Sequence, residues 1–448
     1  MSNTNIDLYE LINGRKYKKC KEHQIRNPKT NRCINKIKQK VKKPSPIKVY
    51  VKKSIKSPIL EQTKKPNLFK KLFYPFVNRV NANIDDRIKY YTLLKQVLKI
   101  DEKRKNYCMR LYKYNSDNKP IFRIGNNIIL KKQIGSDSKN GIIYLSSFRD
   151  KTNKIFKYAI KLMLVNKANT LEIKILEQLT KALLEHKCPH FPILYSNLTC
   201  EKFDNFNLGS SYVKSNSNSN NITKKQIENI INYPEIIRRN YKNRNFYFML
   251  NELANGDLKM FIIKYHKDGN LIQNALAQVY LSLLFFYKIT LNVHNDAHWG
   301  NFLYHKVKPG GYFHYKILDN DYYLENLGFL WVIWDFGYAK HFDNQKLSPK
   351  NINADFFQIT GAFDNEQYGG YVPNVYKFDD KFTSKIGYIV FELYEKNTII
   401  GYRYYTPKNM NDLITLILNT FVKYDIIKTT IVDKTKVVNK TPYIIDFF

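Results

Sequence analysis

The chain has 448 residues, room for one large domain of two parts plus smaller attachments, and its 44% hydrophobic content can fill a sizeable core. No apolar run reaches about 18 residues, which excludes a membrane-spanning helix, and the polar start Met1 to Glu10 lacks the apolar stretch of a secretory signal. The net charge of +36, from 74 Lys+Arg against 38 Asp+Glu, attracts polyanions such as nucleic acid, acidic proteins or anionic membrane surfaces. Abundant Lys, Asn, Ile and Tyr also point to a compositional bias that accounts for part of that charge. The expectation is a protein that works inside a cell.

The five cysteines, Cys20, Cys33, Cys108, Cys188 and Cys200, are an odd and sparse set. A long intracellular chain needs no disulfide framework, so the last three are expected as buried or free thiols. Cys20 and Cys33 enclose the turn-forming pair Asn27-Pro28, and the segment closes on Asn-Pro-Lys-Thr-Asn-Arg-Cys. That phrase resembles the two-cysteine adaptor module found in large DNA viruses of eukaryotes, over residues 14–35. The resemblance implies a viral or host protein as the module's partner. A metal reading would use Cys20, His23 and Cys33, but a closed zinc site needs four ligands and no fourth lies nearby.

From 34 to 66 the sequence is dense in Lys, Pro and Ser, with Glu61 its only acidic residue. Repelling charges and prolines predict an extended basic linker, bounded at 36–66, that acts as a solvated spacer first and a nucleic-acid or polyanion contact second. Ser45-Pro46 and Ser57-Pro58 are possible phosphorylation sites within it. Residues 67–120 read as a helical extension, since Leu68, Phe69, Leu72, Phe73, Phe76 and Val77 recur at helical spacing. Short β-rich runs follow at 128–130, 142–146 and 157–164, then a helix over 170–185 and strands at 191–195 and 246–250. Between the last two lies a polar insertion, 201–245, centred on a Ser/Asn tract that cannot bury a core. Beyond 250 the expectation is mainly helix.

The segment His294-Asn-Asp-Ala-His-Trp-Gly-Asn301 sets Asp296 and Asn301 five positions apart. Phosphoryl transfer uses such a pair: a carboxylate orients the attacking hydroxyl and accepts its proton, while an amide oxygen holds magnesium near the phosphates. Downstream, the apolar run from Leu330 ends in Asp335-Phe336-Gly337, and Asp335 is a second candidate magnesium ligand. Asp296 could equally be a helix cap, Asp335 a turn residue and Lys161 a surface lysine; their joint order along the chain favours catalysis.

In that order the chain resembles the protein kinase superfamily, and especially the divergent serine/threonine-kinase-like proteins of giant viruses. The resemblance implies an α+β fold of two lobes, a β-rich lobe over 121–250 and a helical lobe over 251–448, with ATP and magnesium bound between them. It also implies a location in the host cytoplasm or the virion. Tyr158-Ala-Ile-Lys161 matches the strand lysine that grips phosphates. Glu172 matches its helical partner, with Glu177 the alternative. Gly135 and Gly141 stand where the phosphate-covering loop belongs, spaced one residue wider than the family's outer glycines. Asn251, Glu252 and Leu253 would offer backbone groups to the adenine, behind Leu250, and His294 would pack under the metal-binding Asp.

Three departures bear on the acceptor. Asn295 replaces the arginine that receives an activating phosphate, and His298 replaces the lysine usually set against the transferred phosphate. The wording around His298 is similar to that of aminoglycoside and choline kinases. Third, Asp355 resembles the residue that anchors the catalytic loop, yet it follows Asp335 by only about 20 residues with no Ala-Pro-Glu triplet between. Lys308-Pro-Gly-Gly-Tyr312 reads as a hairpin turn between strands. The expected acceptor is a Ser or Thr of a protein; a small alcohol is the alternative, and an inert scaffold that binds polyanions is the third reading.

Overall fold

The computed structural model describes residues 9–12, 15–18, 24–26, 33–35, 84–98, 100, 107–115, 120–125, 128–134, 141–149, 155–201, 245–341, 355–356, 358–363, 389 and 410–446. The chain divides into two units, Met1–Lys64 and Lys65–Phe448. The first unit holds two antiparallel pairs: β1 (Tyr9–Ile12) with β2 (Arg15–Lys18), and β3 (Gln24–Arg26) with β4 (Cys33–Asn35). The second pair flanks the segment that carries Asn27-Pro28 and sets Arg26 opposite Cys33. Cys20, His23 and the linker 36–66 lie outside the described residues.

The first described element of the second unit is helix α1 (Ile84–Leu98), whose inward face carries Ile84, Leu94 and Leu98. Within the 67–120 stretch the structure also describes β5 (Met109–Tyr114), a strand at the edge of a sheet. β6 (Pro120–Ile124), β7 (Ile128–Ile134), β8 (Ile142–Arg149), β9 (Ile155–Leu164), β10 (Leu194–Cys200) and β11 (Phe246–Asn251) complete a seven-stranded sheet, ordered β10-β11-β9-β8-β7-β6-β5. The expected strands fall within or beside these; β10 begins where the expected 191–195 run was to end.

Twist brings the two edges of this sheet together. The Tyr107 amide donates to the Thr199 carbonyl at 2.8 Å, and Cys108 is disulfide-bonded to Cys200 with a Cα separation of 4.6 Å. The expectation of three unpaired thiols is thus corrected: only Cys188, which is buried, is free among the described residues. The pair is 92 residues apart in sequence, so only the curl of the sheet makes it adjacent. Reduction should lower stability by about 4.6 kcal/mol, the chain-entropy value for a loop of that length. Urea midpoints with and without reductant measure it, and equal midpoints would mean that the pair contributes nothing.

Helix α2 (Lys167–Leu184) starts on Asn166, whose side chain accepts from the Asn169 amide at 2.8 Å. Its buried residues Glu172, Ile173, Leu176, Leu179 and Leu183 recur at helical spacing and face the core. After β12 (Gly256–Asp257) and α3 (Leu258–Tyr265), helix α4 (Gly269–Thr290) is buried on almost all sides and packs against α2. Tertiary packing there leaves no polar face for solvent.

Residues beyond 250 hold more strand than expected: β13 (Asn292–Val293), β14 (Phe302–Lys306), β15 (Tyr312–Ile317), β16 (Asn320–Glu325), β17 (Phe329–Ile333) and β18 (Lys340–His341). β14 pairs with β17, whereas β15 pairs with β16 in another sheet. Lys308–Tyr312 therefore links two sheets and is no hairpin turn. The turn falls instead at Leu318 and Asp319, with φ of 48° and 64°, the double positive φ that a two-residue connection requires. Gly311, with φ of +78°, has no substitute, because a side chain there would overlap the Lys436 carbonyl.

Helix α5 (Met410–Lys423) leads to β19 (Ile427–Lys428) and β20 (Tyr443–Ile445), which complete a four-stranded sheet ordered β19-β16-β15-β20. β20 runs parallel to β15. The fold is α+β, with a sheet-rich part and a helical part. Among the described residues no helix is long and apolar enough to cross a membrane.

Candidate active site

Lys161 lies on the inner strand β9, fixed on both sides by pairing with Ile143 of β8 and Met249 of β11. Its ammonium donates to Glu172 Oε1 at 2.6 Å and to Asp335 Oδ1 at 2.9 Å. Helical phase selects between the two glutamates: Glu172 is on the buried face of α2, and Glu177 is exposed. Burial opposes charge on Lys161, but the two carboxylates outweigh it and hold the ammonium above its ordinary pKa. Burial pushes Glu172 up, against the pull of Lys161, and its second oxygen is buried without a protein partner. Asp335 goes the other way: burial raises it, but the Lys161 charge and hydrogen bond hold it below the usual carboxylate range.

Asp335 follows β17 and adopts a left-handed backbone, φ 61°. The β14–β17 register sets Phe302 opposite Ile333, and the Trp334 amide donates to the Asn301 carbonyl at 2.8 Å. Strand pairing thus brings the end of the 294–301 segment alongside Asp335. Asn301 donates its amide nitrogen to the Asp296 carbonyl at 2.8 Å and to Asp296 Oδ2 at 3.3 Å. Its amide oxygen is then the atom left for a cation. One amide oxygen and one carboxylate suit magnesium when phosphate oxygens and water supply the other positions. Among the described residues no group of three or more His, Cys, Asp or Glu could hold a metal by itself.

Burial also raises the Asp296 carboxyl, with His298 opposing and Asp335 adding to the rise. His298 caps the short turn Trp299–Asn301: its Nδ1 accepts from the Gly300 amide at 3.0 Å, so the proton of the neutral ring sits on Nε2, 3.8 Å from Asp296 Oδ2. That imidazole is 41% exposed. His294, by contrast, is buried, and burial lowers its pKa to about 4, which keeps it neutral. Its Nε2 meets the Trp334 carbonyl at 2.8 Å, tying the loop beneath Asp335.

Asp355 anchors the same loop. Its Oδ2 accepts from the His294 amide at 2.7 Å and from the Tyr287 hydroxyl at 2.8 Å, and its Oδ1 accepts from the Asn295 amide at 2.6 Å. Burial still pushes its carboxyl up to about 7. Asn295, with φ 62°, needs this support for its left-handed backbone.

Asn251 is buried at the end of β11, paired with Ala159, and its side chain donates to the Met249 carbonyl at 3.1 Å. The Glu252 amide donates to Ile193 at 2.9 Å, and its carboxylate turns toward Arg87. Of the expected adenine-binding trio, Glu252 thus has both its amide and its side chain engaged within the protein; Leu253 is half-buried. Gly141 is buried where a Cβ would meet the Leu162 carbonyl at 2.7 Å, so close strand approach explains that glycine. Gly135 lies outside the described residues.

Sequence reading missed Arg87 and His305. Arg87 had a signal, a lone charged residue at an inward position of an apolar helical repeat; His305 had none. No protein-family model and no curated protein matches the chain.

Proposed function

We propose that residues from about 121 onward form a two-lobed phosphotransferase of the protein-kinase type, which moves the γ-phosphate of ATP to a hydroxyl. One observation carries the reading: Lys161 bridges Glu172 and Asp335, while strand pairing sets Asn301 and Asp296 beside Asp335. In this reading Lys161, held by Glu172, grips the phosphates, and Asp296 orients the acceptor hydroxyl and takes its proton. Asn301 and Asp335 hold magnesium, which neutralises phosphate charge when bound.

The acceptor we favour is a serine or threonine of a protein, in a viral enzyme whose residues 14–35 act as an adaptor. Its resemblance to the viral module supports that setting, in host cytoplasm or virion. The second reading is a small alcohol, favoured by an imidazole, His298, beside Asp296 in place of a lysine. An inert scaffold that binds polyanions through the linker is disfavoured, since Lys161, Asp296, Asn301 and Asp335 are all present. Incubation with labelled ATP and magnesium tests all three: label enters protein, enters only small molecules, or enters nothing. In the same assay Asp335→Ala should lower transfer at least about a hundredfold, and full activity in that variant would sink the proposal.

A further inference from the structure

Arg87 is the charged exception on the packed face of α1, with 1% of its surface exposed among Ile84, Leu94 and Leu98. Its guanidinium makes four hydrogen bonds. Nε and Nη2 reach the two oxygens of Glu252 at 3.0 and 2.6 Å, Nη1 donates to the Pro189 carbonyl at 2.6 Å, and Nη2 donates to the Phe191 carbonyl at 2.6 Å. His305 Nε2 stands 3.5 Å from the same Glu252 carboxylate. Arg87 and His305 overcome burial and hold that carboxylate well below its usual pKa, so the pair is ionised.

Buried ion pairs of this kind contribute little net stability, and an apolar pair would serve the core as well. Location gives this one a purpose. Glu252 sits between Asn251 and Leu253, on the short strand-to-helix link where the nucleotide base is expected. Pro189 and Phe191 lie on the connection between α2, which carries Glu172, and β10. His305 is on β14, directly after the segment that ends in Asn301. One planar cation with fixed donors therefore ties two of these segments to α1 directly and reaches the third, at His305, through Glu252.

We infer that Arg87 is a positioning residue for the nucleotide base: by clamping Glu252 it holds the backbone of Asn251 and Leu253 in register for adenine, and so makes α1 part of the nucleotide site. This rests on the phosphotransferase reading. Preorganisation of this sort strengthens binding without touching the ligand.

The test uses the full chain and two probes, magnesium-ADP and magnesium-tripolyphosphate; the second meets Lys161 but carries no base. Calorimetry gives both affinities, and initial rates give KM for ATP and kcat. Arg87→Met keeps the apolar stem of the side chain and Arg87→Lys keeps its charge, yet neither can make the two-point contact. Both should weaken ADP and raise KM by about tenfold, with tripolyphosphate affinity and kcat held within about twofold. Should Arg87→Met fail to fold, the double variant Arg87→Met/Glu252→Met removes both buried charges and should show the same base-specific loss. Unchanged ADP affinity, or equal weakening of both probes, overturns the role of Arg87. A wild-type chain that binds neither probe overturns the phosphotransferase reading itself.

Discussion

Asp296→Asn is expected to lower phosphate transfer by about 10²–10⁴-fold, the range for loss of a positioned general base. The substitution is close to isosteric, and Asp296 is on a loop with a side chain 28% exposed, so the fold should survive it. Asn301 can still donate to the residue 296 carbonyl at its present 2.8 Å, which keeps the candidate metal ligand in place. What disappears is the proton acceptor. Magnesium-ADP affinity should therefore stay within a fewfold of wild type, a split that calorimetry beside initial-rate measurements reads directly. Transfer within tenfold of wild type would remove Asp296 from the chemistry.

Asp355→Ala should produce the largest loss of stability. It strips three donors at once, the His294 and Asn295 amides and the Tyr287 hydroxyl, at a position with no exposed surface. Each buried donor left without a partner costs about 1–3 kcal/mol, so a loss of about 3–9 kcal/mol is expected for the three. The loop would also lose the restraint that keeps Asn295 left-handed and Asp296 aimed, so transfer should fall even in the molecules that remain folded. Asp355→Asn retains a single acceptor and should lie between alanine and wild type in both readouts. Chemical denaturation with parallel rate measurements checks the order, and a fully active, fully stable alanine variant would discard the anchor.

The grouping of the candidate site residues was legible because its information is local. Asp296 and Asn301 share one short loop, Asp335 ends a recognisable apolar strand, and Glu172, offered with Glu177 by the resemblance, is separated from it by the phase of a single helix. Contacts between distant segments were not legible. Arg87 and Glu252 are 165 positions apart, and nothing in either neighbourhood names the other. The Cys108–Cys200 bond depends on the curl of seven strands, a property of the assembled sheet. For the stretch after Ile317, short strands separated by turns leave little periodicity to detect, and the Lys308–Tyr312 glycines signalled a bend without saying which strands it joins.

The parallel pairing of β20 with β15 sets a timetable for the newborn polypeptide. Tyr315 meets Tyr443, and Ile317 meets Ile445, so this ladder must wait until the ribosome has released the later partner. Until then β15 presents an open edge, with Phe313 and Tyr315 not yet covered, a hazard typical of strands whose mates arrive late. A translation pause or a nonsense codon shortly before Tyr443 would therefore favour clumping over maturation.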